Sequence, residues 1–387
     1  MSGCIIGWAH TPFGKHEDRD LESLIVEASA AAIEDAGIAP ADVDAIYVGN
    51  FGGFEKQSFP SSFALSVDPA LRFKPATRVE NACATGSAAV HQGLNDIAAG
   101  RSRFVLVVGA EQMSVAPGAL IGDILLNASY RKEEGETEGG FAGIFGQIAD
   151  RYFQAHGNKS EAMARIAAKN HVNGLENPYA QLRKPFDFEF CNTISDKNPL
   201  VAGPLRRTDC SLVSDGAAAI VLTDTETALR GTKAIHFRAA AQVNDYLPIS
   251  GREIIAFEGC EEAWKKAHAE AGTRIDDLDV VETHDCFTIA ELIEYEAMGL
   301  TPKGEGARAI DEGWVEKTGK LPVNPSGGLK SKGHPIGATG VSMHVMQSLQ
   351  LMGEADGMQI ADAELAGIFN MGGAAVANYV SILERIR

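Results

Sequence analysis

The chain repeats part of itself, and this duplication limits its possible folds more than any other feature of the sequence. Residues 31–50 (AAIEDAGIAPADVDAIYVGN) are similar to residues 266–285 (KAHAEAGTRIDDLDVVETHD). Further along, Ala84-Thr85-Gly86 matches Ala338-Thr339-Gly340. Either match alone is within chance, but two matches in the same order at similar offsets indicate a chain built from two similar halves.

Helix and strand patterns alternate along the chain. Apolar residues recur at helical spacing from Leu21 to Ala32, and Gly37 follows as a helix stop. Ala45–Val48 and Phe104–Val108 are short apolar runs typical of buried strands. This alternation predicts a layered α/β fold.

We place the two halves at residues 1–227 and 228–387. A segment from about 113 to 204 breaks the pattern, and we interpret it as an insertion that covers the functional site. Such insertions commonly carry substrate contacts. Within it, the charged run RKEEGETEGG at 131–140 predicts a mobile surface loop.

Charge and cysteine content exclude several classes of protein. The formal charge of −18 over 387 residues disfavours general binding to nucleic acid. Six cysteines without a CxxC pair predict neither a disulfide framework nor a zinc site, and we expect no metal. Four cations form either a local patch for a phosphorylated ligand or ordinary surface charge: Arg206, Arg207, Lys330 and Lys332.

The chain carries no recognisable address. Its N-terminal MSGCIIGWAH predicts a first strand and not a signal peptide, and no apolar run is long enough to span a membrane. The final residues carry no peroxisomal signal. We therefore expect a cytoplasmic protein.

The first candidate catalytic residue is Cys83, in the run Val79–Gly86 (VENACATG). Small residues before a predicted helix allow a ligand to approach the backbone closely. The helix N-terminus favours the thiolate form, which makes Cys83 a plausible nucleophile. A buried, inert cysteine explains this motif equally well.

A second candidate, His334, lies in the glycine-rich run Asn324–Gly340 (NPSGGLKSKGHPIGATG). An imidazole titrates near neutrality and can take a thiol proton and return it. The alternative is a loop histidine that bonds its own turn.

Two weaker signals follow strand-like runs. His284 and Cys286 lie in THDCF after Leu278–Val281, where His284 can donate a hydrogen bond to an enolate and Cys286 can move a proton. By itself, this motif is better explained by a structural role. Gly372, in FNMGGA, can offer a backbone N–H to an oxyanion, although such glycine pairs are also common in turns.

Together and in this order, the four elements resemble the thiolase family over almost the whole chain. GHPIGATG is the most specific of them, and the stretches PLRRTDCS and SDGAA are also similar to the family. The resemblance implies a five-layered αβαβα fold, dimers or tetramers, and acyl transfer between coenzyme A thioesters, as in lipid metabolism and fatty acid β-oxidation. It implies Cys83 as the acyl-carrying nucleophile, His334 as its activator, and the amides of Cys83 and Gly372 as the oxyanion hole. No cofactor is implied, because coenzyme A (CoA) is a substrate.

Two departures refine the resemblance. Asn370 stands where many thiolases have a Cys-x-Gly cysteine, and His284–Phe287 (HDCF) replaces an Asn-Glu-Ala-Phe motif. Both changes are similar to the sterol-carrier-protein type of thiolase. This similarity assigns the second acid/base to Cys286, and enolate binding to His284 and His334.

Three alternatives stay open on the sequence. A ketoacyl synthase-like condensing enzyme also uses one cysteine and two histidines, although it needs no cysteine acid/base. A retro-aldolase with the same fold tends to lose these residues and to need a small partner protein. A non-catalytic acyl-CoA-binding subunit would need none of the four reactive side chains.

The substrate contacts are the least constrained part of the prediction. We expect four residues to contact the CoA thioester: Ser250, Arg183, Ser326 and Gly327. Acyl chain length, direction of flux and subunit number are left open by the sequence.

Overall fold

Eleven strands and thirteen helices are found in residues 3–387, the part of the chain that the computed structural model describes. The strands are β1 Gly3–His10, β2 Ala45–Gly49, β3 Ala76–Val79, β4 Phe104–Gln112, β5 Leu200–Ala202, β6 Leu205–Arg206, β7 Asp215–Asp224, β8 Ile235–Asn244, β9 Val280–Glu282, β10 Leu365–Gly372 and β11 Ala377–Arg385. The helices are α1 Leu21–Asp35, α2 Thr85–Ala98, α3 Gly118–Leu125, α4 Arg131–Glu134, α5 Gly140–His156, α6 Ser160–Asn173, α7 Phe188–Asn192, α8 Thr225–Ala228, α9 Glu258–Ala271, α10 Thr288–Ala297, α11 Gly306–Asp311, α12 Gly328–Ser331 and α13 Ile336–Met352.

Nine of these strands form one mixed sheet in the order β3-β2-β4-β7-β1-β8-β11-β10-β9. The sheet has two parts, which are joined where Cys4 and Ile5 of β1 pair with Ile235 and His236 of β8. Strand β4 is buried along its whole length, as expected for a strand covered by helices on both faces.

Helices and sheet form the predicted five layers. Helix α1 covers the outer face of the first part of the sheet, and α9 covers the outer face of the second. Helices α2 and α13 lie between the two parts. Helix α13 contacts strands of both, and α2 packs on the first part and reaches β11 of the second through His91 and Tyr379. The predicted αβαβα arrangement is therefore confirmed.

The repeated Ala-Thr-Gly tripeptides meet at the crossing of α2 and α13. A Cβ on Gly86 would lie 2.7 Å from the backbone nitrogen of Val341, and one on Gly340 would lie 2.2 Å from that of Ser87. Only glycine permits this approach. The crossing brings together the first turns of both helices, next to which Cys83 and His334 lie.

The local predictions are confirmed for the helix from Leu21 and for the strands at 45–49 and 104–112. The predicted surface loop at 131–140 is right only in part: the segment is largely exposed, but Arg131–Glu134 form α4 and α5 begins at Gly140. Glu134 is buried there and accepts hydrogen bonds from the backbone amides of Tyr130 and Ile249, both at 2.9 Å. This pairing offsets the cost of burying the carboxylate.

Helices α3 to α7 lie between residues 118 and 192, within the predicted insertion, whose boundaries stay predictions, as do those of the two halves. Among residues 3–387, no helix is long and apolar enough to cross a membrane.

Candidate active site

The predicted catalytic side chains converge beside the crossing of α2 and α13. The Cys83 sulfur and one ring nitrogen each of His284 and His334 lie within 4.8 Å of one another. The two imidazoles meet edge to face, with ring centroids 5.1 Å apart at 81°. Cys83, Cys286 and His334 also line one cavity of about 150 Å³.

The wall of this cavity is otherwise mainly apolar, which suits an acyl chain. Side chains from the 113–204 segment and from the catalytic loops contribute to it: Met113, Leu125, Phe141, Ala142, Val201, Leu212, Val213, Phe287 and Ile336. A third cysteine, Cys210, lines the same cavity and is only partly buried.

A strained turn presents Cys83 to the cavity. The preceding Ala82 has a positive φ of 49°, which is uncommon outside glycine and clusters at functional sites. Gly372, the predicted oxyanion-hole residue, ends β10 against this turn, where a Cβ would lie 2.5 Å from the carbonyl oxygen of Asn81. The amide of its neighbour, Gly373, is hydrogen-bonded to the Cys83 thiol.

Burial keeps the Cys83 thiol protonated in the free protein. It raises the pKa of Cys83 from 9.0 to about 12, although the hydrogen bond from the Gly373 amide acts in the opposite direction. The expectation that the helix N-terminus favours the thiolate is therefore not met, because desolvation outweighs it. A base must remove this proton as the thiol reacts.

His334 is placed to be that base. Burial, followed by the charge of Lys332, lowers the pKa of His334 from 6.5 to about 3, so the ring is neutral at pH 7. Its Nδ1 lies 2.6 Å from the hydroxyl of Thr339, and its Nε2 has no hydrogen-bond partner within residues 3–387. The loop is held by Ser214, whose hydroxyl accepts the His334 backbone N–H at 2.9 Å.

His284 follows β9 and is fully buried. Burial, with a smaller contribution from His334, holds the pKa of His284 well below 6.5. Its Nδ1 lies 3.0 Å from the side-chain nitrogen of Asn370, and its Nε2 is unpaired in the described part of the chain.

Cys286 is the second thiol of the site. Burial, followed by the nearby Cys83, raises the pKa of Cys286 well above 9.0. Beside it, the Asp285 carboxylate accepts the backbone amides of Leu329 at 2.6 Å and Lys330 at 3.2 Å. Asp285 thus ties the HDCF segment to the loop that carries His334.

The four predicted substrate contacts do not line this cavity. The exposed Ser250 donates to Glu133 at 2.6 Å, and Arg183 donates to the Leu175 carbonyl. Ser326 is buried, and its hydroxyl donates to Glu282 at 2.7 Å. Gly327 is also buried, and a Cβ on it would lie 2.6 Å from the Cα of Gly174.

Of the four candidate cations, only Arg207 is exposed. The others are buried and paired inside the protein. Arg206 bonds Asp209 at 2.8 Å, Lys332 lies 3.8 Å from Glu282, and the Lys330 ammonium donates to the Cys210 carbonyl.

Two of the candidate cations, Arg207 and Lys330, line a second cavity of about 410 Å³, which shares Leu212 with the first. It is lined by three exposed cations, by a stacked phenylalanine pair and by buried Lys330: Lys184, Lys197, Arg207, Phe186 and Phe190. Among the described residues, the three exposed cations form no ion pair. Sequence reasoning missed Lys184 and Lys197, because their positions on separate loop segments gave no motif.

Two models of known protein families match the chain, one in its N-terminal half and one in its C-terminal half. Residues 4–191 match the thiolase N-terminal domain, and residues 241–385 match the thiolase C-terminal domain-like family. The chain belongs to the thiolase family. A thiolase-type acyltransferase agrees with the geometry of Cys83 and its two histidines.

Relatives of this thiolase include both archaeal and animal proteins. It is 36% identical to an acetyl-CoA acetyltransferase of Methanothermobacter thermautotrophicus, over 98% of this chain and 99% of that protein. It is 33% identical to human sterol carrier protein 2, over 95% of this chain and 69% of that protein.

Two solved structures share the fold. An Ltp2-ChsH2(DUF35) aldolase matches with a TM-score of 0.84 at 24% identity, covering 100% of this chain and 98% of that one. An acetyl-CoA acetyltransferase from Syntrophomonas wolfei matches with a TM-score of 0.73 at 19% identity, covering 99% and 98%. At these identities the likeness concerns the fold alone.

Proposed function

We propose that this enzyme transfers acyl groups between coenzyme A thioesters through an acyl-Cys83 intermediate, by thiolysis of 3-oxoacyl-CoA or by the reverse condensation. The observation that carries the proposal is the convergence of the Cys83 sulfur and the two imidazole nitrogens within 4.8 Å. The apolar cavity beside them has room for the acyl chain.

In the first step, the unprotonated Nε2 of His334 takes the proton of the Cys83 thiol while the sulfur attacks the 3-oxo carbon of the 3-oxoacyl-CoA. Backbone amides at Cys83 and at Gly372–Gly373 stabilise the oxyanion. The bond between C2 and C3 then breaks, which leaves the acyl group on Cys83 and releases the enolate of acetyl-CoA. The Cys286 thiol protonates C2 of that enolate and becomes a thiolate.

In the second step, the Cys286 thiolate takes the proton of incoming CoA. The CoA sulfur attacks the acyl-Cys83 thioester, and the shortened acyl-CoA leaves. Protonated His334 returns its proton to the Cys83 sulfur, which restores both thiols. Run backwards, the same proton transfers give a Claisen condensation.

The second cavity supports coenzyme A as the carrier. Lys184, Lys197 and Arg207 would bind its phosphates, and the Phe186–Phe190 pair offers apolar surface for its adenine. A local cluster of cations is notable in a chain of formal charge −18.

A homodimer or homotetramer is part of the proposal. Strand β3 ends the sheet with a single strand neighbour among residues 3–387. Such an edge offers unpaired backbone groups to a second copy. Near it, Phe73 is 85% exposed and would be covered by such a partner.

The condensing-enzyme, retro-aldolase and non-catalytic alternatives are less well supported. A synthase that decarboxylates its donor has no need for Cys286 in the cavity. The DUF35-linked aldolase shares the fold, but this chain retains the Cys83, His284 and His334 set. A binding subunit would not need an unpaired base beside a buried thiol.

Intact-protein mass spectrometry with a panel of 3-oxoacyl-CoAs tests the proposal. We expect one acyl adduct in the native enzyme, none in Cys83→Ala, and an unchanged adduct in Cys210→Ala, which alters another cysteine of the cavity. An adduct that persists in Cys83→Ala, or turnover without any requirement for Cys83, would overturn it.

A further inference from the structure

Asn370 is a fully buried side chain that contacts both halves of the catalytic site. Its amide nitrogen lies 3.1 Å from the carbonyl oxygen of Cys83 and 3.0 Å from Nδ1 of His284. Its amide oxygen faces Gly340, where a Cβ would lie 2.4 Å away. Helix α13 therefore leaves room for Asn370 only because residue 340 is glycine.

The orientation of this amide is determined by its neighbours. A backbone carbonyl can only accept a hydrogen bond, so the Asn370 nitrogen must face Cys83, since the opposite orientation would put two oxygens against each other. The same nitrogen carries two protons and reaches His284. Nδ1 of His284 must then be the acceptor, and the single ring proton of the neutral imidazole lies on Nε2.

We propose that Asn370 is a positioning residue that fixes His284 as an Nε2–H donor aimed at the reacting oxygen. Thr339 fixes the opposite tautomer in His334, because its hydroxyl donates to the Pro335 carbonyl at 3.1 Å and therefore accepts from Nδ1 of His334. The two histidines, whose rings meet edge to face, thus have different roles: His334 is the base and His284 is the donor.

This assignment also predicts that the cluster favours an anion over a metal. The ligand atoms of Cys83, His284 and His334 are close enough together to bind a soft divalent cation. A metal needs a bare nitrogen, and Asn370 leaves a proton on Nε2 of His284. The catalytic consequence rests on the proposed acyl-transfer function, whereas the tautomer does not.

The direct test is ¹⁵N NMR of the full-length enzyme with labelled histidine, assigned with His284→Gln. We expect the His284 resonances of a protonated Nε2 and a bare Nδ1. In Asn370→Asp the carboxylate should accept from Nδ1–H, so the two resonances should exchange character. Bare Nε2 in the native enzyme would overturn the proposal without any mutant having to fold.

Activity provides a second readout through the order of two variants. Asn370→Asp keeps the shape but reverses the tautomer, whereas Asn370→Leu keeps the bulk and leaves the tautomer free. We expect Asp to lower kcat about 100- to 1,000-fold and Leu to lower it less, with KM for the CoA thioester nearly unchanged. A purely structural role predicts the reverse order, and that order in folded variants would refute the assignment.

Cobalt absorption is a third readout. We expect Asn370→Asp to bind Co²⁺ with a thiolate-to-metal band that is lost in the Asn370→Asp, Cys83→Ala double variant, and the native enzyme to show no such band. Co²⁺ ligation to His284 in the native enzyme would contradict the proposal. Failure of the proposed function itself would appear separately, as a native enzyme whose Cys83 is never acylated.

Discussion

The Thr339 hydroxyl lies 2.6 Å from Nδ1 of His334, and it donates its own proton to the Pro335 carbonyl at 3.1 Å. We infer that this hydroxyl accepts from His334, which leaves the unshared electron pair of the imidazole on Nε2 beside the cavity. The threonine belongs to the repeated Ala-Thr-Gly tripeptide, so the residue that prepares the base also lies at the crossing of the two central helices.

Thr339→Val tests this relationship because it removes the hydroxyl and keeps the shape. We expect the rate of Cys83 acylation to fall about 10- to 100-fold, since part of the His334 population would then carry its proton on Nε2. Thr339→Ser, which retains the hydroxyl, should stay near the native rate. Rapid-quench mass spectrometry measures both variants, and equal rates for Val and Ser would contradict the role.

Cys286→Ser separates the two thiols of the site. With acetyl-CoA alone, Cys83 should still be acetylated by thioester exchange, because CoA can leave as its thiolate without the proton that Cys286 supplies, whereas the substrate α-carbon cannot react without a base. Condensation to acetoacetyl-CoA should fall about 100- to 10,000-fold. Cys210→Ala is the matched control and should retain both activities. If Cys286→Ser condensed acetyl-CoA at the native rate, the assignment of Cys286 as the second acid/base would be wrong.

Much of the fold was predictable because its signals are local. The helix from Leu21 and the strand at Phe104 follow from apolar spacing, and the duplication predicted two similar halves. The short helix at 131–134 was missed because one of its contacts is distant in sequence: the Glu134 carboxylate accepts a hydrogen bond from the backbone amide of Ile249.

The site divides in the same way. Cys83 and His334 lie in motifs that place them next to helix starts, and both line the same cavity. The cation cluster was predicted only in part, because burial decides which charges reach solvent. Arg207 and Lys330 line it as candidates, whereas Lys332 pairs inward and the exposed Lys197 was missed. The expectation of a lowered pKa for Cys83 was also wrong. Burial raises this pKa, and the degree of burial is known only from the folded chain.

Lys197→Glu tests the second cavity as the phosphate site. We expect KM for the CoA substrate to rise about 5- to 10-fold at low salt with kcat nearly unchanged, and the effect to shrink as salt screens the charges. Two controls accompany this variant. Lys266→Glu makes the same charge change elsewhere, on α9, and an acyl-pantetheine substrate keeps the thioester but lacks the nucleotide phosphates. An equal KM rise for acyl-pantetheine would show that Lys197 acts on something other than the nucleotide end.

His91 gives a prediction about stability and pH. It lies buried in α2 with its ring edge-on to Tyr379 at 4.8 Å, and burial, followed by His344, lowers its pKa from 6.5 to about 3. Between these two pKa values the unfolded chain binds a proton that the folded chain does not. The contribution of His91 to the free energy of unfolding is therefore complete above about pH 6.5 and is lost as the pH falls.

His91→Phe keeps a ring of similar size and removes the titration. Urea unfolding at pH 7 and pH 5 should therefore show a loss of stability that is about 2 kcal/mol smaller in the variant than in the native enzyme. Above pH 7 the two proteins should change in parallel, and parallel curves down to pH 5 would mean that His91 is protonated equally in both states.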